Sequence, residues 1–278
     1  MLILKKFLRD IPAVLGFVII VVVILVALIA PLIASTESVY DGNIMQRLQP
    51  PSHEHWFGTD NLGRDIFARV MVGAQGALVV ALSVVALAIA IGVPAGLYAG
   101  YTRGWISELI MRVTDVFLSV PQLILALAVA QLIGKGLESA MLALALTYWP
   151  FFCRTVFSET RRVRNTLFVD ALQGIGASQW RILMVHVLPN VASPVIVRAT
   201  IGMGFTILTT AVLGFLGIGA TPPSPDWGLA ISESREYLPE SWWAVTFPGL
   251  AILVTVLGFN LFGDGMRDLV DPRLRRSR

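Results

Sequence analysis

Six stretches of the chain carry no charged residue, and they limit its fold more than any other feature of the sequence. They cover residues 11–36, 70–102, 116–134, 139–153, 199–225 and 241–263. A helix that crosses a bilayer needs roughly 20 mostly apolar residues. Hydrophobic residues make up 56% of the chain and charged residues 14%, against about 45–50% and about 25% in soluble domains. The sequence therefore predicts a polytopic membrane protein.

The membrane-spanning elements are predicted to be helices. Strands of membrane barrels alternate apolar and polar residues, whereas these stretches are continuously apolar. The shortest one, 139–153, spans only if Arg154 reaches the headgroups and lets Val156 and Phe157 extend the span. The first stretch is longer than the roughly 7–15 residues of a signal-peptide core, so it is expected to remain as the first span. The single cysteine, Cys153, excludes an intrachain disulfide and is expected to be a packing residue.

The basic residues predict the orientation in the membrane. With a cytoplasmic N-terminus and six spans, the inner segments hold 16 of the 21 Lys and Arg residues and the outer segments hold five. Because Lys and Arg are disfavoured in translocated loops, both termini are expected in the cytoplasm. The inner basic loops then meet anionic lipid headgroups, and no nucleic-acid partner is expected.

Two polar segments, 35–76 and 221–243, lie on the predicted outer side. In the first, Gly58 and Gly63 permit unusual backbone angles, and Arg64 and Asp65 can pair with neighbours. His53 and His55 are expected to be solvated residues, since two ligands on a loop rarely make a metal site. Prolines stiffen the second segment, and three tryptophans are expected at headgroup level as anchors: Trp227, Trp242 and Trp243.

The long inner segment between Arg154 and Asn190 contains VDALQGIGASQWRILMVHVLPN at 169–190. Asp170 is expected to start a short helix and to accept its free N–H groups. Gly174 and Gly176 allow a bend, and Ser178 can cap a second helix that Pro189 would end. The second helix carries too many apolar residues for a solvated loop, so we expect lipid headgroups or a partner to cover them: Ile182, Leu183, Val185 and Val187.

This segment resembles the EAA loop of permease subunits of ABC importers, whose pattern is E-A-A-x3-G-x9-I-x-L-P. Asp170 replaces the usual Glu, Leu172 replaces the second Ala, and His186 occupies the Ile position. The resemblance implies that the segment couples to an ATPase through the following residues: Asp170, Ala171, Gly174, Gly176, Ala177, Ser178, Arg181, His186, Leu188 and Pro189.

Three further segments resemble the C-type permease of the dipeptide, oligopeptide and nickel group. They are HWFGTDNLGRDIFARVMVGA at 55–74, LGFLGIGATPPSPDWG at 213–228 and the stretch 242–275. The resemblance implies an all-α type I ABC importer permease (MetI-like) fold with six transmembrane helices. It also implies three parts: a span with a periplasmic segment at 1–74, a permease core at 75–265 with its coupling loop at about 154–190, and a basic tail at 266–278. The outer gate or docking loop would contain Pro222, Pro223, Pro225, Trp227 and Gly228.

The same resemblance implies the partners and the cargo. The partners would be a homologous B-type permease subunit, two cytoplasmic ABC ATPases and an extracytoplasmic substrate-binding protein, in a bacterial inner membrane. The chain has no G-x4-G-K-[ST] phosphate loop, so no cofactor is expected in it, and ATP and Mg would belong to the ATPases. The expected cargo is a di- or oligopeptide, with nickel or another small solute as the alternative.

Two functions of other classes remain open from the sequence. An ion-coupled secondary transporter would need a charged or broken-helix site at the bilayer midplane and would work without ATPases. A membrane-embedded enzyme is disfavoured because the chain has neither H-E-x-x-H nor G-x-S-x-G.

Arg198 is a basic residue well inside the predicted fifth span, about 12 Å from a start near Asn190. Two interpretations are open for it. Its guanidinium lines the translocation path and attracts an anionic group such as a peptide carboxylate. Alternatively, its long stem reaches back to the cytoplasmic headgroups.

Overall fold

The structure is a computed structural model, and it describes residues 7–35 and 37–270. Lys5, Lys6 and residues 271–278 of the predicted basic tail lie outside the described residues. The helices are, in chain order, α1 Ile11–Ile33, α2 Ile66–Tyr101, α3 Trp105–Ser119, α4 Gln122–Ile133, α5 Leu137–Arg164, α6 Leu167–Gly174, α7 Gln179–Arg181, α8 Leu188–Phe215, α9 Trp227–Ser234 and α10 Trp243–Val270. A π-helical turn, Ile182–Val187, joins α7 to α8.

Five helical stretches of the described chain are long and apolar enough to cross a membrane: α1, α2, α5, α10 and the continuous stretch Gln179–Phe215. The remaining predicted span, which is the third in chain order, is broken. Its two helices, α3 and α4, meet at an angle of 96°. Pro121 lacks an N–H and holds Val120 in an extended conformation, so the helix cannot continue through this position. The stretch 116–134, predicted as one of six spans, is therefore part of this bent pair of helices.

Helix α5 extends the short fourth stretch past Arg154 through Val156 and Phe157, as predicted. It runs on for ten residues beyond Arg154, and Val156 is fully buried in the bundle. The Arg154 guanidinium forms an ion pair with Asp115 of α3. The sequence prediction missed this pair because Asp115 lies just outside the charge-free stretch that begins at residue 116.

Helices α2 and α5 pack with their backbones in direct contact through three glycines of α2. A Cβ on Gly92, Gly96 or Gly100 would lie within 2.5–2.8 Å of atoms of α5. Cys153 is fully buried at this interface, as expected for a packing residue. Helix α1 packs on α10 in the same way at Gly16, and α8 packs against α2, α5 and α10. The result is an interlocked helical bundle.

The bundle has two ends. We name them the outer end and the inner end, after the two sides of the membrane that the charge distribution predicts. The outer end holds residues 37–65 and 216–242, and the inner end holds residues 102–104 and 165–187. Two of the three tryptophans expected as headgroup anchors are buried at the outer end. The indole N–H of Trp227 donates to the Val70 carbonyl, and that of Trp243 donates to the Thr59 carbonyl. Trp242 alone of the three is half exposed.

Candidate functional site

The inner segment 165–190 contains the bend that its glycines predict. Helix α6 ends at Gly174, and Gly176 adopts a φ of +78°, which side chains with a Cβ rarely adopt. The hydroxyl of Ser178 accepts a hydrogen bond from the Arg181 N–H and so caps α7. We call residues 165–190 the coupling segment, after the resemblance described above.

Two details of this segment differ from the predictions. Asp170 does not cap α6, whose N-cap is Thr166; it lies exposed in the first turn, where its charge still faces the positive end of the helix. Pro189 does not end a helix, because it occupies the first turn of α8. The wider π-helical turn before it gives the proline ring room that a regular α-turn lacks.

The apolar residues that were expected to need an external surface are covered mostly by this chain. Ile182 and Val187 are fully buried against α2 and α5, beside Leu97, Val156 and Val163. Leu183 is partly buried in the same cluster, and Val185 is exposed. The sequence could not show this, since periodicity does not reveal which surface an apolar face meets. The coupling segment is therefore packed rigidly onto the bundle.

A different set of apolar residues faces outward from the coupling segment. Leu167 is 87% exposed, Ile175 80% and Trp180 68%, and Phe168 and Val185 are more than half exposed. We call these five residues the coupling surface. Exposed apolar residues grouped in this way are typical of a protein-interaction site. Phe168, Ile175 and Trp180 were not among the predicted coupling residues, although their size and position beside the two glycines could have indicated them.

The predicted coupling residues lie around this surface. Asp170, Ala171, Gly174, Gly176, Ser178, Arg181 and Pro189 are exposed, and Ala177, His186 and Leu188 are half-buried. The rings of His186 and Phe168 pack edge to face at 5.3 Å. A Cβ on Gly174 or Gly176 would meet no atom of this chain, so both positions are open to a partner.

Arg198 lies within the bundle on α8, where its guanidinium stacks over the ring of Phe151 at 5.0 Å. Phe151 precedes the inner end of α5 by 13 residues, or about 20 Å along the helix. Tyr148, one turn away, packs against Gly202 of α8 and stacks on Phe205. The guanidinium thus stacks on one ring, that of Phe151, within the helical bundle.

The outer end contains an ion-pair cluster that the sequence indicated only in part. Arg64 is 1% exposed; its Nε lies 2.6 Å from an oxygen of Asp60, and its Nη2 lies 2.9 Å from an oxygen of Glu233. Arg69 lies 3.7 Å from the same oxygen of Asp60. We call Asp60, Arg64, Arg69 and Glu233 the outer ion-pair cluster. It joins residues separated by about 170 positions in the chain, which local patterns do not reveal.

The proline-rich loop is attached to the bundle through this cluster. Arg69 donates to the carbonyl oxygens of Pro223 and Ser224 as well as to that of Val39. Pro222 and Pro223 are exposed, Pro225 is half-buried, and Gly228 is buried against Ala211 of α8. The predicted gate or docking loop is therefore a rigid element whose exposed part is its proline-containing tip.

The two histidines of the outer segment differ in environment. His53 is exposed, as expected. His55 is not a solvated residue, because its Nδ1 lies 2.8 Å from a carboxylate oxygen of Asp65, which also caps α2 by accepting from the Ala68 N–H. Within the described residues, no three His, Cys, Asp or Glu side chains are grouped closely enough to hold a metal ion.

Comparison with known families adds to this geometry. Residues 92–276 match the family described as binding-protein-dependent transport system inner membrane component. Residues 1–51 match the N-terminal transmembrane domain of oligopeptide transport permease C.

Curated relatives resemble nearly the whole chain. A dipeptide transport system permease of Alkalihalophilus pseudofirmus is 43% identical, over 98% of this chain and 89% of its own length. A probable D,D-dipeptide transport system permease of Escherichia coli K12 is 44% identical, over 92% and 86%. A glutathione transport system permease of Escherichia coli O6 is 40% identical, over 98% and 89%.

A solved structure shares the fold. It is an inward-facing conformation of the MetNI methionine ABC transporter, matched with a TM-score of 0.61 over 73% of this chain and 96% of that chain, at 19% identity. The similarity confirms the predicted MetI-like fold.

Proposed function

The chain belongs to the family of inner-membrane components of binding-protein-dependent transport systems, and from this premise we propose that it forms half of the translocation path of an ATP-driven importer of di- or oligopeptides. Relatives named for dipeptide, D,D-dipeptide and glutathione transport support a peptide cargo. Coupling to an ATPase is supported by the coupling surface. This surface exposes Leu167, Ile175 and Trp180 in the segment that resembles an EAA loop.

The proposed partners are a homologous B-type permease, two ABC ATPases and an extracytoplasmic binding protein. One ATPase would bind the coupling surface, with Asp170 and Arg181 at its edge and the open backbone of Gly174 and Gly176 available for close approach. ATP and Mg would be bound by the ATPases. The binding protein would deliver its cargo at the outer end, where the exposed tip of the proline-rich loop is the proposed docking element.

The proposed mechanism uses the rigid attachment of the coupling segment. Closure of the ATPase pair on ATP would displace α6 and α7. Because Ile182 and Val187 are fully buried against α2 and α5, the displacement is passed to these spans and is not absorbed by a loop. The spans would then open alternately to the two sides of the membrane, with both termini in the cytoplasm of a bacterial cell.

Arg198 is the proposed path residue. A charge near the centre of a span is unfavourable by roughly 2.5–3.5 kcal/mol on insertion scales, and such residues usually face a cavity or a partner. The Phe151 ring, which itself packs against Tyr148, would hold the guanidinium within the bundle, where it would attract the carboxylate of a passing peptide.

Reconstitution tests the function directly. The chain, purified with its co-expressed partners and placed in vesicles, is expected to import a labelled dipeptide only with the binding protein and ATP. Peptide uptake driven by an ion gradient without ATPases would instead show a secondary transporter. ATP-dependent uptake of nickel or another small solute, with none of a di- or oligopeptide, would replace the proposed cargo.

A further inference from the structure

An open cavity of about 410 Å³ lies at the inner end and adjoins the start of the coupling segment, because Asn165 is one of its lining residues. Its walls are the end of α2, the turn 102–104, the first turn of α3 and the last two turns of α5. Its volume lies within the roughly 300–1,000 Å³ that is typical of small-molecule sites. The cavity is therefore large enough to hold a small charged group.

The cavity is lined by three arginines and one carboxylate. Arg103, Arg161 and Arg164 contribute the positive charges, and Glu108 contributes the negative one. The ion pairs found among the described residues include none of these four side chains, whereas Arg154 and Arg162 on the same helix are paired with Asp115 and Glu159. The cavity thus has an excess of positive charge with free guanidinium donors.

Two of the arginines are held in place by aromatic rings. The Arg161 guanidinium lies over the Phe157 ring at 5.9 Å, and the Arg164 guanidinium lies over the Tyr101 ring at 5.4 Å. Stacking leaves the N–H groups at the edges of each guanidinium available for a ligand. A planar fork of donors matches the oxygens of a phosphate group.

The N-terminus of α3 lies beside the same cavity, because Gly104, Ser107 and Glu108 line it. Helix α3 has 15 residues and begins after Gly104, which has no side chain to cap it. The Ser107 hydroxyl donates to the Ala99 carbonyl, and no side chain caps the first turn of α3. The first N–H groups of α3 therefore have no partner within the helix, and the helix dipole adds partial positive charge beside Arg103.

Exposed apolar residues of α3 neighbour the lining residues in the chain. Trp105 and Leu109 of α3 are 73% and 51% exposed and lie next to the lining residues Gly104 and Glu108. A tryptophan beside apolar residues at a helix end is typical of the membrane–water interface. A ligand with a phosphate and an apolar tail matches the charged cavity and these neighbouring exposed apolar residues.

We propose that this arginine cavity binds the phosphate headgroup of an anionic phospholipid from the leaflet at the inner end of the bundle. The inference goes beyond the proposed function and depends on it only for the name of the leaflet, which is then the cytoplasmic one. Basic pockets between spans on that side are suited to anionic headgroups.

The test uses the assembled complex in nanodiscs that contain phosphatidylcholine and phosphatidylglycerol. Native mass spectrometry after partial delipidation counts the lipids that stay bound. The wild type and the control Arg162→Gln, whose side chain lies outside the cavity, are expected to retain phosphatidylglycerol in preference to phosphatidylcholine. Arg161→Gln combined with Arg164→Gln is expected to weaken that retention roughly tenfold or more, because charge-assisted bonds to phosphate are lost.

Two further variants keep the test decisive if the double variant does not assemble. Arg103→Gln changes only an exposed turn and is expected to weaken retention on its own. Arg161→Lys combined with Arg164→Lys keeps the charge and loses the bidentate fork, so its retention should fall between that of the wild type and that of the double Gln variant.

Several outcomes would overturn the proposal. One is equal retention of phosphatidylglycerol and phosphatidylcholine by the wild type. Another is undiminished retention by an intact complex that carries the Gln substitutions.

Displacement of the lipid by inorganic phosphate would support the shared phosphate chemistry. Arginine-dependent binding of inorganic phosphate without lipid retention would assign the cavity to a soluble anion and reject the lipid.

Discussion

At the scale of single residues, the outer ion-pair cluster is the feature that depends most on the presence of every partner. Arg64 is almost completely buried and bridges carboxylates from two segments, Asp60 in the outer segment and Glu233 in α9. Buried charges are tolerated when they are paired and become strongly unfavourable when one partner is removed. The cluster therefore makes the position of α9 depend on the residues that precede α2.

The first prediction is that Arg64→Ala destabilises the outer end. Removal of the guanidinium leaves Asp60 and Glu233 without their shared partner, so the free energy of unfolding should fall by about 3–5 kcal/mol. Thermal unfolding of the purified complex measures the effect. Arg47→Ala is the control, because Arg47 is exposed and its stacking on Tyr237 contributes about 1 kcal/mol or less. Equal unfolding midpoints for the two variants would contradict the interpretation.

The second prediction concerns Asp226, whose carboxyl caps α9 by accepting from the Leu229 N–H. Burial raises the pKa of this carboxyl above its ordinary value, and the Leu229 and Gly228 N–H groups and Arg69 oppose part of the rise. The folded state therefore binds the proton more tightly than the unfolded chain does. The stability contributed by this proton is fully present below the unfolded pKa and is lost as the pH rises through the folded pKa.

Asp226→Asn should remove this dependence while keeping the cap, since Asn caps a helix about as well as Asp. Unfolding midpoints of the variant and the wild type, measured across acidic pH, are expected to show the wild-type stability falling relative to the variant as the pH rises. Glu236→Gln serves as a control for loss of a negative charge at the same end, because Glu236 is exposed. A constant difference between Asp226→Asn and the wild type at every pH would reject the argument.

The third prediction concerns Arg198. Arg198→Gln keeps polarity and approximate length but removes the charge, so peptide uptake should fall while complex yield and basal ATP hydrolysis stay normal. Phe151→Leu, which removes the ring under the guanidinium, should reduce uptake less, because the charge remains. Uptake by Arg198→Gln that equals wild type for acidic and neutral peptides alike would leave Arg198 without a role in the path.

At the scale of elements, the coupling segment shows which structural features could be predicted from the sequence and which could not. Gly176 and Ser178 could be predicted as a bend and a cap, because both act locally. Burial of Ile182 and Val187 against α2 and α5 could not, because it depends on helices that lie about 20 or more residues away in the chain. The break in the third span was visible in the sequence as Pro121, but the apolar composition around it favoured a continuous helix.

The fourth prediction belongs to this element. Gly176→Leu must hold a φ of +78°, which is unfavourable by roughly 1–2 kcal/mol for a residue with a Cβ, and its side chain would project into space that this chain leaves open. We expect normal membrane insertion and loss of ATP-dependent transport. Asp170→Asn should weaken assembly less, because the exposed carboxylate loses only its charge.

Gly174→Ala is the matched control for this prediction. Gly174 is the last residue of α6 and has open space around it, so a methyl group is tolerated within the chain. Co-purification of the ATPases measures assembly, and peptide uptake measures transport. The two measurements together separate a loss of assembly from a loss of coupling. Normal transport by an assembled Gly176→Leu complex would mean that the bend is not needed for coupling.

At the scale of the whole molecule, the six-span organisation could be predicted from charge-free stretches, while the path of the third span could not. The outer end differs most from its prediction. His55, Trp227 and Trp243 were assigned to water or headgroups, yet each has a partner in the folded chain. Composition indicates how deep a residue lies relative to the membrane, but it does not indicate which neighbours it meets.

The fifth prediction tests the orientation. The sequence suggests cysteine reporters at positions 60 and 230 for the outer side and at 165 and 275 for the inner side. Asp60 is buried, residue 230 is half-buried, and residue 275 lies outside the described residues, so the structure favours exposed sites. With Cys153 replaced, Glu54→Cys and Glu236→Cys should react with an impermeant reagent from outside, and Asn165→Cys should react only after the membrane is opened. Labelling of Asn165→Cys from outside would contradict the predicted orientation and indicate the reverse topology.

The glycine contacts between α2 and α5 have a mechanical consequence. The backbones touch at Gly92, Gly96 and Gly100, so the two helices are in close contact over the inner part of α2. Helix α2 alone is 36 residues long, or about 54 Å. It begins beside the outer ion-pair cluster and ends beside the coupling segment. A displacement of the coupling segment is therefore expected to move the inner ends of both helices together.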